Sequence, residues 1–120
     1  MKHFDRDGKD NFVDVNNVFV GFDNNSKCCE EFGWFISKEI PTMIDDGDVD
    51  IPTDGYVFDT SFFQDAFFDN NGGNESSGVV FRLYKGDDVI YLTLHNTHNG
   101  YYYHGFNMVV GGQVVESGSL

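Results

Sequence analysis

The C-terminal third of the chain contains the pattern that most constrains its fold, a strand, a tight turn and a second strand. GVVFRLY is followed by KGDD and then by VIYLTL. Ile90, Leu92 and Leu94 share one face and the residues between them share the other, because successive side chains of a strand point to opposite faces. Together with the later segments YYYHGFNMVV and QVVE, this pattern predicts an antiparallel meander of three or four strands over residues 78–116.

The composition of the chain agrees with a strand-rich fold. Aromatic residues make up 17% of the 120 residues, with thirteen Phe, whereas alanine occurs only at Ala66. A chain that is rich in Phe, Val, Tyr and Gly and poor in Ala suits strands and turns better than helices. We therefore predict a mainly β fold, an antiparallel β-meander or sandwich with at most one or two short helices, with an α+β fold as the alternative.

The N-terminal half gives less regular signals. Residues 1–10 are charged and lack an apolar pattern, so we expect a tail or a loosely docked arm ahead of a single globular domain over residues 11–120. NFVDVNNVFVGFDNN predicts two strands, with Asn16 and Asn17 in a hairpin turn or a bulge. EFGWFISKEI could be a strand or a short helix, and Gly33 together with the β-propensity of its neighbours favours a strand.

Residues 61–68 allow two interpretations. Phe62, Phe63, Ala66 and Phe67 are spaced as on one face of a short helix capped by the preceding Thr or Ser. A pair of strands would bury the same phenylalanines. The sequence leaves helix and strand open here.

The charge of the chain restricts its partners. Seven basic residues face twenty acidic ones, for a formal net charge of −13. Nucleic-acid binding depends on neutralising phosphates, so direct contact with DNA or RNA is disfavoured, and an anionic membrane surface is disfavoured for the same reason. No signal peptide or membrane-helix segment is evident, and the adjacent Cys28 and Cys29 make no disulfide framework. We expect a protein of the cytoplasm.

The acidic residues are concentrated in the middle of the chain. Between Lys38 and Arg82 there is no Lys or Arg, while ten carboxylates occur there. Carboxylates along one edge can imitate phosphates and occupy a basic nucleic-acid channel of another protein, although a solvated loop would have the same composition. The candidate partner-binding residues in this stretch are Asp45, Asp46, Asp48, Asp50 and Asp54.

The segment LHNTHNGYYYHGF supplies further candidates. Asn99-Gly100 fits a type I′ hairpin turn. In the strand that follows, Tyr102 and His104 share one face. Aromatic and imidazole groups are common in protein contacts, so we predict that Tyr102 and His104 belong to a partner-binding patch.

A metal site is the alternative for the same segment. His95, His98 and His104 are close in sequence, and zinc binds imidazole and thiolate ligands. Their spacing matches no zinc motif, and Cys28 and Cys29 would point to opposite faces of a strand. We expect no metal and no cofactor, with the histidine site kept as the alternative.

Catalytic signals are weak. The chain contains no Gly-x-Ser-x-Gly elbow and no phosphate-binding glycine loop. With twenty acidic residues, nothing singles out a pair for acid–base chemistry. We expect that the protein is not an enzyme.

Two short motifs, CCE at residues 28–30 and NGYY at residues 99–102, resemble a family of small uncharacterised proteins of bacteriophages and prophages. The resemblance implies a phage protein in a bacterial cytoplasm and assigns no catalytic residue. With the acidic charge, it leads us to expect an inhibitor of a basic host defence protein that handles nucleic acid, of the anti-CRISPR or anti-restriction type. A small His/Cys metal-binding module and a virion-associated structural protein remain the alternatives.

Overall fold

The computed structural model of the chain describes residues 1–24, 31–42, 51–69, 75–97 and 104–120. Within these residues it contains nine β-strands and no helix. The strands are β1 (Lys2–Arg6), β2 (Lys9–Val13), β3 (Phe19–Asp23), β4 (Glu31–Ser37), β5 (Val57–Asp69), β6 (Glu75–Lys85), β7 (Asp88–Thr97), β8 (Gly105–Val110) and β9 (Gln113–Ser119).

The strands form two antiparallel sheets. Sheet A has the order β1-β2-β3-β8-β9 and sheet B the order β4-β7-β6-β5. Every described strand pair is antiparallel. The prediction of a mainly β, antiparallel fold is confirmed, and so is the strand interpretation of EFGWFISKEI.

The core lies between the two sheets. Alternate residues of the strands point inward, and the fully buried side chains include Phe12, Phe22 and Met108 from sheet A and Phe81 and Leu92 from sheet B. Phe106 of sheet A meets Phe81 and Phe63 of sheet B at ring-centroid distances of 6.5 and 6.0 Å. Burying each large apolar side chain stabilises the fold by about 1.5–3 kcal/mol, so this aromatic layer is the main source of cohesion between the sheets.

The predicted meander over residues 78–116 is divided between the two sheets. The hairpin of β6 and β7 belongs to sheet B, with Gly86 (φ 61°) in its turn, and the hairpin of β8 and β9 belongs to sheet A, with Gly111 (φ 58°) and Gly112 (φ 80°) in its turn. Strand β7 pairs with β4 and β6, whereas β8 pairs with β3 and β9. The chain therefore changes sheets between β7 and β8, so these two strands do not pair with each other; the predicted turn at Asn99-Gly100 lies outside the described residues. Alternation identifies strands but does not record which sheet they join.

The N-terminus differs from the expected arm. Lys2–Arg6 pairs with Lys9–Val13 in a hairpin whose turn contains Asp7 (φ 57°) and Gly8 (φ 75°). All side chains of β1 are exposed, so the sequence shows no apolar pattern there, but strand pairing uses backbone groups and does not need one. The predicted turn at Asn17 (φ 59°) is confirmed between β2 and β3.

Residues 61–68 belong to strand β5, which resolves the open choice in favour of a strand. The register with β6 shifts between Phe58 and Phe63. This irregularity lets Phe58 and Phe63 both face the core, while Phe62 lies near Tyr91 and Arg82. Helical spacing of phenylalanines was therefore produced by a bulged strand.

Candidate functional site

One end of the sandwich carries exposed carboxylates from separate segments of the chain. The end of β4, the start of β5 and the β6–β7 turn lie at the same end of sheet B, because Ser37 pairs with Tyr91 and Val57 with Tyr84. Acidic side chains in or beside these segments are exposed. We call this set the acidic end, and its described members are Glu39, Asp54, Asp87 and Asp88.

Of the acidic residues predicted to bind a partner, Asp54 is placed by the structure, and it is exposed. Asp45, Asp46, Asp48 and Asp50 lie outside the described residues. Their segment joins β4 to β5, which form opposite edges of sheet B. The last residue of β4 and the first residue of β5 both lie at the acidic end.

The turn that presents Asp54 is anchored to the core. The α-ammonium group of Met1 donates hydrogen bonds to the carbonyl oxygens of Thr53 and Tyr56, at 2.8 and 3.0 Å. The hydroxyl of Thr53 donates to the carbonyl of Met1 at 3.3 Å, and burial lowers the pKa of the amine. Since Tyr56 and Ile51 also pack against the core, the position of Asp54 is set by the fold on both sides.

The carboxylates of the acidic end share it with the exposed side chains of Lys38 and Lys85 and with the α-ammonium group of Met1, which interacts electrostatically with Asp54. Among the residues that the structure describes, no ion pair involves Asp54, Asp87 or Asp88. The side chain of Lys85 instead lies along Gly55 (φ 81°), where a Cβ atom would come within 3.1 Å of its Cε. Carboxylates in excess of cations create a negative potential that attracts a basic surface.

Asp14 lies at the same end but has a structural role. One carboxylate oxygen accepts hydrogen bonds from the backbone N–H groups of Asn16 and Val18, both at 2.9 Å, and the other accepts from Phe58 N at 2.8 Å. Asp14 is only 6% exposed. It joins the β2–β3 turn of sheet A to β5 of sheet B. An Asp two residues ahead of a turn Asn is the signal that could have identified it.

His104 lies in the interior at the opposite end of the sandwich. Its side chain is fully buried, its ring stacks on Phe32 with centroids 4.0 Å apart, and its Nδ1 lies 2.8 Å from the carbonyl oxygen of Asp23, to which it donates. Its backbone exchanges two hydrogen bonds with Leu120. This corrects the expected patch, because the imidazole is not on an exposed contact surface; Tyr102 lies outside the described residues.

The alternative metal ligands are separated by sheet B. His95 lies between Leu94 and Asn96, which both point inward, so its own side chain points to the outer face of sheet B. There the centroid of its ring lies 5.8 Å from that of Phe35. His104 lies between the sheets, so these two imidazoles do not converge on one ion. His98 lies outside the described residues. Within the described ranges no cluster of three metal-binding side chains occurs.

A cation–aromatic cluster on sheet B was missed by sequence reasoning. Arg82 donates from Nε and one terminal nitrogen to Asp59 Oδ2, at 3.0 and 2.6 Å, and its guanidinium carbon lies 4.6 Å from the centre of the Phe62 ring. Asp59 also accepts from the backbone N–H and hydroxyl of Ser61. The Ser61 bonds and Arg82 lower the pKa of Asp59, and Asp59 raises the pKa of Arg82. This cluster holds the irregular part of β5, so Asp59 is not one of the carboxylates free for a partner.

The comparisons with known proteins add no relative. No family model, curated protein or solved structure matches the chain. Within the described ranges, no helix has the length and apolar character needed to cross a membrane.

Proposed function

We propose that this chain is a phage protein that binds and inhibits a basic host defence protein in the bacterial cytoplasm, with its acidic end as the contact surface. The target would be a nuclease or effector that handles nucleic acid. The observation that carries the proposal is the grouping of Asp54, Asp87 and Asp88 at one end of the sandwich, where they are exposed and form no ion pair with any residue that the structure describes.

The electrostatics support a protein partner with a basic channel. A net charge of −13 repels nucleic acid itself but accelerates encounter with a positive surface. Carboxylates held on fixed turns can occupy sites that otherwise bind phosphates. The four aspartates between residues 45 and 50 belong to the segment whose two flanks meet the acidic end, and they would extend its negative charge.

A binding role instead of a catalytic one is supported by what the buried polar groups do. Asp14 and His104 bond to backbone groups that fix the two ends of the sandwich. Asp59 is occupied by Arg82 and Ser61. Each of these residues stabilises the frame that presents the surface charges.

The experiment is a plating assay in bacteria that carry a restriction or CRISPR system directed against a test phage. The wild-type chain, expressed in the host, is expected to raise the efficiency of plating at least tenfold in one of the defended strains. The triple variant Asp54→Asn, Asp87→Asn, Asp88→Asn should lose this effect. A second variant with Asn at the four positions from 45 to 50 tests the neighbouring segment separately.

The matched control removes the same number of carboxylates elsewhere. Asp5→Asn, Asp7→Asn and Glu116→Gln change the net charge equally but leave the acidic end intact, and they should retain protection. Equal loss in both triple variants would assign the effect to total charge. Retention in both would remove the acidic end from the mechanism.

A further inference from the structure

The two lateral sides of the sandwich are closed to different extents. Strands β1 and β2 of sheet A lie over β4 of sheet B, because the ring centroids of His3 and Phe12 are 4.6 and 5.0 Å from that of Trp34. The order of the strands then places β9 of sheet A and β5 of sheet B together at the other lateral side. There Phe67 of β5 is 65% exposed and Val115 of β9 is 47% exposed. The side formed by β5 and β9 is therefore the less closed of the two.

Strand β5 contributes a long, regular edge to this side. It contains thirteen residues and lies at the edge of sheet B, where β6 is its one described neighbour. The register with β6 shifts between Phe58 and Phe63, and it is continuous from Phe63 to Asp69. Within that regular part, alternate backbone N–H and C=O groups point away from β6 and pair with no described strand. We call residues 63–69 the open edge.

The other sheet edges are protected in ways that the open edge is not. Natural proteins protect an edge with Lys or Pro, with a bulge, or by keeping the strand short. Strand β1 is short and contains Lys2 and Arg6, β9 is interrupted by a register shift, and β4 lies on the side that His3 and Phe12 close. Strand β5 contains no Lys, Arg or Pro. The open edge is therefore the described edge that is most suited to pair with another strand.

The open edge presents an aromatic ring and a carboxylate on one face. Phe63, Asp65 and Phe67 share the face that is directed toward sheet A, since Phe63 packs against the core and side chains alternate along a strand. Asp65 and Phe67 are nevertheless exposed, so this end of the face is open to solvent. A strand that pairs with the open edge would meet both side chains, two residues apart on the same face.

The charge of this side selects the kind of strand. Strands β5 and β9 contain no Lys or Arg, and Asp65 forms no ion pair with any residue that the structure describes. A second copy of the chain would bring like carboxylates together and would add a formal charge of −13, which opposes self-pairing. A strand with Lys or Arg opposite Asp65 would be attracted instead.

We propose that the open edge binds an extended basic segment of another protein by β-strand addition. The backbone of that segment would continue sheet B, and its side chains would supply the specificity. A Lys or Arg lies beside Asp65, and an apolar residue two positions along packs on Phe67. The partner is thus a segment in which basic and apolar residues alternate on one face of a strand.

This binding mode goes beyond the proposed inhibitor function. The open edge lies along the side of sheet B, whereas the acidic end consists of exposed carboxylates in and beside the turns at one end of the sandwich. The open edge includes no residue of the acidic end. Either surface can therefore fail its test while the other passes.

The test is a titration of the ¹⁵N-labelled full chain with the peptide TKTVTKTVTK, acetylated and amidated at its ends, in about 0.15 M salt to screen long-range attraction. We expect saturable amide shifts centred on residues 63–69. Every second amide of that range should also gain protection from hydrogen exchange, because alternate N–H groups point away from β6.

Two further peptides separate strand pairing from simple charge attraction. In PKPVPKPVPK each Thr is replaced by Pro, which keeps the Lys and Val residues but cannot donate to a strand ladder, and binding should weaken at least about tenfold. In TETVTETVTE the charges are reversed, and no binding is expected. Neither comparison depends on a protein variant.

Substitutions at exposed positions test the two side chains. Asp65→Lys replaces attraction by repulsion and should weaken binding of TKTVTKTVTK about tenfold, and Phe67→Thr should weaken it about threefold. Asp5→Lys on β1 is the matched control, because it changes the net charge equally at the opposite lateral side, and it should change the affinity by less than about twofold. The amide spectrum of each variant reports whether it is folded.

Four results would overturn the proposal. They are the absence of saturable shifts, shifts centred on the acidic end or another surface, equal affinity for the proline peptide, and equal loss in Asp5→Lys and Asp65→Lys. The last two would assign the binding to net charge without strand pairing.

Discussion

At each end of the sandwich a buried polar side chain joins the two sheets, but the two ends display different surfaces. At the acidic end, the buried carboxylate of Asp14 joins a turn of sheet A to Phe58 of sheet B. At the other end, the amide of Asn96 in sheet B donates to the carbonyl of Leu120 at 2.9 Å, and His104 bonds to both Leu120 and Asp23. At the acidic end, exposed carboxylates surround the buried Asp14. At the opposite end, the imidazole of His104 is enclosed between Phe22 and Phe32.

This difference separates the residues that hold the frame from the residues that present charge. Asp14 and Asp54 are the same amino acid at the same end, yet one is buried with three backbone donors and the other is exposed. Substituting the first should change stability, and substituting the second should change partner binding.

The largest effect on stability is expected for Asp14→Ala. The change leaves the buried N–H groups of Val18 and Phe58 without their acceptor, and unsatisfied buried donors cost about 1–3 kcal/mol each, whereas the N–H of the exposed Asn16 can bond to water. With partial compensation by water, we expect a loss of about 4 kcal/mol in the free energy of unfolding, measured by urea denaturation. Asp54→Ala is the matched control at the same end and should change stability by less than about 0.5 kcal/mol.

A smaller loss is expected for His104→Leu at the opposite end. Leucine retains much of the packing against Phe32, but it removes the hydrogen bond to the Asp23 carbonyl. We expect a loss of about 2 kcal/mol, from the lost hydrogen bond of the buried imidazole and an altered stacking contact. His95→Leu on the outer face of sheet B is the control. A result in which His104→Leu costs more than Asp14→Ala would reverse the assigned importance of the two ends.

The strands could be predicted from the sequence better than the buried polar residues that join the two sheets, Asp14 and His104. Alternation at Ile90, Leu92 and Leu94 predicted β7 correctly, because facing the core leaves a period of two in the sequence. The passage of the chain from sheet B to sheet A between β7 and β8 has no such signal in the sequence. The sequence pattern therefore predicted a single meander. Asp14 and His104 share a similar difficulty, since their roles depend on Phe58 and Phe32, which are distant in sequence and meet them only in the folded state.

The candidate site was predictable to the same extent. The acidic composition was visible in the sequence, and Asp54 is exposed as a contact residue requires. The grouping of Asp54 with Asp87 and Asp88 was not visible in the sequence, because only the pairing of β5 with β6 brings the β6–β7 turn beside the start of β5. Charge counts along the chain also included Asp59, which the structure pairs with Arg82.

The smallest effect is a pH dependence that separates Asp59 from the unpaired carboxylates. Its pKa is lowered by hydrogen bonds from Ser61 and by Arg82, so the stability that it contributes is fully present above the ordinary carboxyl pKa of about 4 and is lost as pH falls through the lowered value. Asp59→Asn should therefore reduce the urea midpoint by a constant amount from pH 7 to pH 5, and the difference should shrink below about pH 4. Asp87→Asn removes one exposed charge and serves as the control. If the curves for Asp59→Asn and the wild type run parallel down to pH 2, the pair with Arg82 does not stabilise the fold, and Asp59 would belong with the carboxylates available to a partner.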